Sequence, residues 1–134
     1  QALMQPVDLP GQVIHGDITE NVLFEPGRAP AVIDFSPYWR PAAYAQAIVV
    51  VDALDWYGAD ESILSLVSDV AEIDQLMVRA ELFRICILNE LNREGADTLD
   101  AVTGHERTVA MLERRLGATS TDASADETSG YTPR

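Results

Sequence analysis

The chain has 134 residues, 47% of them hydrophobic, which suits one domain with a core of its own. Asp and Glu number 22 against 9 basic residues, for a formal charge of −13. That argues against a nucleic-acid binder, which needs a basic face, and against docking on anionic lipid. No apolar run reaches the roughly 18–20 residues that span a bilayer, and no secretory signal is visible. The single cysteine, Cys86, has no internal disulfide partner, so the expected setting is the reducing cytoplasm. All nine basic residues are arginine, so a mechanism that needs a lysine on a phosphate or in a Schiff base is incomplete in this chain. The sequence opens on Gln1 rather than Met, and the expectation is a piece of something longer.

In chain order, Val13-Ile14, Val22-Leu23-Phe24 and Ala31-Val32-Ile33 predict a short strand, a loop and a β-hairpin that turns at Pro26-Gly27. A sheet this small must pack on helices. The first helix is expected from Pro41 or Ala42 to about Tyr57, with Gly58 as its stop. Its apolar residues Tyr44, Ile48, Val51, Leu54 and Trp56 nearly encircle it, which predicts a central, buried helix. Asp60 is placed to cap a second helix through about Val70, with Ile63, Leu66 and Val67 on one face. A third runs from about Asp74 to Glu94, stops at Gly95, and carries the stripe Leu76, Ala80, Phe83, Ile87, Leu88 and Leu91. A short helical turn near Asp97–Val102 leads to Thr103-Gly104-His105-Glu106, which fits a capping box. That box is expected to open a last helix ending at Leu116-Gly117. Residues 118–134 are rich in Ser, Thr, Asp and Glu and predict a flexible acidic tail. The expected class is α+β: a small β-hairpin element packed on a mainly helical body over 1–117.

The informative stretch is His15-Gly16-Asp17-Ile18-Thr19-Glu20-Asn21, followed by Ile33-Asp34-Phe35. Asp17 and Asn21 share one loop, and the hairpin folds Asp34 back beside them. Converging oxygen donors of this kind suit Mg²⁺, a hard cation that takes one or two protein ligands plus phosphate oxygens.

These motifs resemble the catalytic core of the kinase-like phosphotransferases. His15-Gly16-Asp17 is similar to the His-Gly-Asp of the aminoglycoside phosphotransferase and choline kinase branch, and Ile33-Asp34-Phe35 to its second metal-binding element. The longer run Ala31–Pro41 resembles an uncharacterised actinobacterial family related to these enzymes. The resemblance covers Val13 to about Gly58 by motif. It implies a protein-kinase-like C-terminal lobe in which Asp17 is the catalytic base and Asn21 and Asp34 hold Mg²⁺. The implied reaction moves the γ-phosphoryl of a nucleoside triphosphate, normally ATP, to the hydroxyl of a small molecule. Three departures stand out. Only Ile18, Thr19 and Glu20 separate Asp17 from Asn21, one residue fewer than in the family pattern. Trp39-Arg40-Pro41-Ala42-Ala43-Tyr44-Ala45 stands where that branch carries further acids. The N-terminal lobe, with its glycine-rich loop and lysine, is missing, so the isolated chain is expected to be inactive.

Plainer readings stand beside these. Taken alone, Asp17 suits a loop cap and Asp34 an exposed strand end. His15 reads as structural, packing beneath the loop and bonding to backbone. His105 reads as part of a cap, without chemistry. Glu20 reads as solvated, with contact to metal or substrate as its alternative, Arg40 as paired with a core carboxylate rather than touching phosphate, and Cys86 as a small buried hydrophobe. Tyr38 and Trp39 read as packing residues and most of the helical acids as a solvated face. The rival function is a non-catalytic kinase-like interaction module, or a homo-oligomer, joined through the face where an N-terminal lobe would dock.

Overall fold

The computed structural model describes residues 3–95 and 99–125, with side chains over 3–95 and 104–117. The protein is α+β, as its sequence predicts. Strands β1 (Gly11–His15), β2 (Val22–Leu23), β3 (Ala31–Val32) and β4 (Pro37–Pro41) come first. They are followed by α1 (Ala42–Asp55), a 3-10 helix (Glu61–Val67), α2 (Ile73–Arg93) and α3 (Leu99–Ala125). The strands make two antiparallel ladders. β2 and β3 form the expected hairpin, with Val22 opposite Val32. β1 pairs with β4, with Gly11 opposite Pro41 and His15 opposite Pro37.

Sequence reading misses β4, because the prolines at its two ends argue against a strand. They are tolerated because they occupy its first and last positions. Pro41 closes β4 and precedes the first helical residue, Ala42. Tyr38 is half-buried edge-to-face on Phe83, with ring centroids 5.7 Å apart. Trp39, expected to pack, is exposed, though it covers Gly11 closely. Gly16 has its own reason to be glycine: a Cβ there would lie 1.9 Å from the Tyr38 ring.

α1 is the central helix that its encircling apolar residues predict. It touches α2, α3, the 3-10 helix, β1 and β4. Ala47, Ile48 and Val51 are fully buried against Leu76, Met77 and Ala80 of α2 and Met111 and Leu112 of α3. Each large aliphatic side chain in that core contributes about 1.5–3 kcal/mol.

Several expectations are corrected. The second helix is capped by Asp60, whose carboxylate accepts from the Ser62 amide, but it winds as a 3-10 helix and ends at Val67. Ser65 and Ser68 each donate to the carbonyl three residues back, a spacing that suits a three-residue turn. Ile63 and Val67 face the core as expected, but the tighter winding brings Leu64 in beside them and leaves Leu66 exposed. The Thr103–Glu106 tetrad does not open a helix. It lies inside α3, which starts at Leu99 and runs on past Gly117 to Ala125. The rest of the expected tail falls outside the described residues. Cys86 is exposed rather than buried, because the buried residues of α2 all lie between Gln75 and Arg84 and the helix leaves the core beyond them. Among the described residues, no helix is long and apolar enough to cross a membrane.

Candidate functional site

β1 delivers His15 into the interior and ends there, so the chain turns at Gly16-Asp17 beneath the hairpin. The Gly16 amide donates to the Ser36 carbonyl at 2.7 Å, tying the turn to the segment before β4. The Asp17 amide donates to His15 Nδ1 at 3.1 Å, and His15 Nε2 lies 3.1 Å from the Ile33 carbonyl. Nδ1 is therefore the acceptor and Nε2 carries the proton, so these partners select the neutral Nε2–H tautomer. His15 thus has the structural role expected of it, with an edge-to-face contact to Phe35 at 5.4 Å.

The Asn21 side chain closes the loop by donating to the Asp17 carbonyl at 2.7 Å. The Asn21 backbone carbonyl accepts from the Ile33 amide at 3.0 Å, extending the β2–β3 ladder by one step. Asp34 follows Ile33 directly, exposed and left-handed at φ 48°. That conformation is uncommon outside glycine, with Asp among the residues that tolerate it. The backbone thus gathers Asp17, Asn21 and Asp34 onto adjoining segments. Glu20, at φ 64°, lets the shortened loop turn back. It is exposed, as expected, and its hydrogen bond to the Tyr57 phenol pushes that group up to about 12.

The side chain that organises this region was not singled out in the sequence. Arg84 of α2 is buried and grips Asp52 of α1 bidentately, Nε to Oδ1 at 2.7 Å and Nη2 to Oδ2 at 2.6 Å. The same Nη2 reaches Asp17 Oδ1 at 2.9 Å. Thr19 donates to Asp52 Oδ2, and the Trp56 ring lies 5.0 Å from the guanidinium carbon. Burial disfavours the charged guanidinium, but Asp52 and then Asp17 outweigh it and raise the Arg84 pKa. Arg40, expected on a core carboxylate, is instead exposed and bonds to the Trp39 carbonyl.

A second polar cluster lies deeper. Asp55 sits three residues after Asp52 on α1, and Glu81 three before Arg84 on α2, so each pair shares a helix face. His105 of α3 meets both carboxylates: Nδ1 is 2.8 Å from Asp55 Oδ2 and 2.9 Å from Glu81 Oε1. Thr108, one turn on, donates to Asp55 Oδ1. Hydrogen bonds to Asp55 and Glu81 raise His105 to about 9. Burial raises Glu81 to about 7 against the lowering effect of His105. The helical acids expected on a solvated face thus include three buried ones, and His105 is no cap. The available signal was the spacing: Asp52 and Asp55 interrupt an all-round apolar helix, so both had to be buried and therefore partnered.

Comparison of the chain with protein-family models, curated proteins and solved structures returned no match.

Proposed function

We propose that this chain is the metal- and acceptor-binding lobe of a small-molecule phosphotransferase of the aminoglycoside phosphotransferase and choline kinase type. In this reading it works in a reducing cytoplasm and transfers the γ-phosphoryl of a nucleoside triphosphate, ATP in the simplest case, to a hydroxyl. The observation that carries the reading is the hydrogen-bond circuit from Asp17 through His15 to Ile33 and back through Asn21. Two separated sequence motifs are held by it as one unit.

Asn21 and Asp34 offer an amide and a carboxylate oxygen, hard donors of the kind and number that Mg²⁺ takes from protein. Bound there with the nucleotide, Mg²⁺ would neutralise charge on the transferred group. Arg84 fixes one Asp17 oxygen and leaves Oδ2 without a protein partner among the described residues. Asp17 Oδ2 orients the acceptor hydroxyl and takes its proton as the new O–P bond forms and the nucleoside diphosphate leaves. Most of the rate gain in such transfers comes from positioning and electrostatics. The chain carries no lysine, so turnover requires a second lobe to cradle the phosphates. A second reading, a protein-interaction module, draws on exposed Phe24, Phe35 and Trp39 on the strand side.

Amide spectra of the protein with its phosphate-cradling lobe supplied, recorded during titration with Mg²⁺ and ATP, test the site. The largest shifts are expected at Asn21, Ile33, Asp34 and Phe35. Shifts spread over the acidic surface, with none in that group, would overturn the assignment.

A further inference from the structure

Asp55, Glu81 and His105 belong to three different helices, yet one donor atom from each lies within 4.8 Å of the other two. The convergence has a backbone cause. At Gly104 α3 approaches α1 so closely that a Cβ would stand 2.3 Å from the Asp55 carbonyl oxygen. His105, the next residue, is thereby driven onto the Asp55 carboxylate. We propose that these three residues form a binding site for a divalent transition-metal ion of the zinc class, which clamps α1, α2 and α3 together.

Donor chemistry selects the ion. One imidazole nitrogen with two carboxylate oxygens is a set that zinc accepts as three protein ligands plus water, whereas Mg²⁺ and Ca²⁺ favour oxygen alone. Charge agrees: two carboxylates, a neutral imidazole and a dication sum to zero, which is what a buried site tolerates. The side chains of Asp55, Glu81 and His105 are 0%, 3% and 5% exposed.

Hydrogen bonding within the cluster leaves atoms over. Asp55 Oδ2 meets only the His105 Nδ1 that Glu81 Oε1 also claims, and Glu81 Oε2 and His105 Nε2 are buried without a hydrogen-bond partner. A single N–H on Nδ1 cannot point along both of its 2.8 and 2.9 Å contacts, whereas a cation at their meeting point engages both carboxylates at once. Those separations need open by only about half an ångström to become the edges of a tetrahedron with bonds of roughly 2.0–2.1 Å. Thr108 already orients Asp55 by bonding its other oxygen, as partners behind metal-binding carboxylates do. Two neighbouring clefts, both lined by Ile85 and Val109, approach the cluster. A surface cleft of about 310 Å³ with Asn89 and Asn92 on its walls reaches His105, and another of about 360 Å³ reaches Glu81.

The test uses the full chain after chelator treatment, titrated with zinc alone and followed by calorimetry. A parallel titration follows the ring nitrogens of its two histidines by ¹⁵N spectroscopy. The expected result is one zinc per chain, a higher unfolding temperature, and a shift of His105 Nδ1 with His15 unmoved. Glu81→Gln and His105→Gln are expected to weaken binding by more than the roughly 10–100-fold that an outer partner is worth, and Cys86→Ser to leave it unchanged. Absence of stoichiometric binding would overturn the proposal, as would equal affinity in the Gln variants or movement of His15 in place of His105. Should a Gln variant fail to fold, the wild-type nitrogen shifts alone decide.

Discussion

Removing a guanidinium from water costs several kcal/mol before any partner is counted. Arg84 offsets that cost with a fork-like grip on Asp52, a bond to Asp17, and the Trp56 ring beside it. Asp52 is fully buried, so Arg84→Ala would strand its charge and is expected to destabilise the chain by about 3–5 kcal/mol. Arg84→Lys keeps the charge but loses the bidentate geometry and should fall between. Urea unfolding of the three proteins checks this; an alanine variant within about 1 kcal/mol of wild type contradicts it. His105 and Glu81 add a pH dependence in the chelator-treated chain. Both hold protons to higher pH folded than unfolded, so stability falls as pH rises. The His105 contribution is complete below its ordinary 6.5 and lost as pH passes about 9. The Glu81 contribution is complete below 4.5 and lost as pH passes about 7. The denaturation midpoint should therefore drop between pH 6 and pH 9.5, approximately, and His105→Gln should flatten the alkaline part. A midpoint that rises over that range contradicts the assignment.

The helices meet where small residues and paired charges permit. Gly104 shows this most directly, because propensity and packing give opposite signs for one substitution. Gly to Ala inside an exposed helix stabilises by about 1 kcal/mol. Here the added methyl would press on the Asp55 backbone, and overpacking of this kind costs about 1–3 kcal/mol. Gly104→Ala should therefore lower the thermal midpoint; a raised midpoint would mean that α1 and α3 are not held at that contact. The same elements show what was legible from sequence. Pro26-Gly27 between apolar pairs gave the hairpin, and Gly58 and Gly95 marked where α1 and α2 give way. β4 was obscured by its flanking prolines, and the 3-10 winding by serine bonds that a helical-period reading ignores. The start of α3 was obscured by a capping-box pattern that recurs inside a helix. For the site, the turn geometry that gathers Asp17, Asn21 and Asp34 was readable, because a hairpin must return its ends. Arg84, Glu81 and His105 were not, because a charge on a helix reads as solvated until its partner on another helix is known.

At the scale of the whole molecule, a net charge of −13 attracts any cation weakly, so binding by itself says little about a site. What distinguishes the proposed phosphotransferase lobe is a division of labour between two carboxylates. In that proposal Asp34, beside the β2–β3 ladder, would supply charge to Mg²⁺, while Asp17, held by Arg84, would face the acceptor. Loss of a general base costs about 10²–10⁴-fold in rate while leaving the metal's ligands in place. The most direct measurement is calorimetric titration of Mg²⁺ and ATP into a lobe-complete form of the protein, in which the phosphates are cradled, and into its Asp34→Ala and Asp17→Asn variants. The account predicts that Asp34→Ala loses Mg²⁺-dependent nucleotide binding and that Asp17→Asn keeps most of it. Binding that survives Asp34→Ala and disappears with Asp17→Asn, or a lobe-complete wild type that takes up no nucleotide with Mg²⁺, would contradict it.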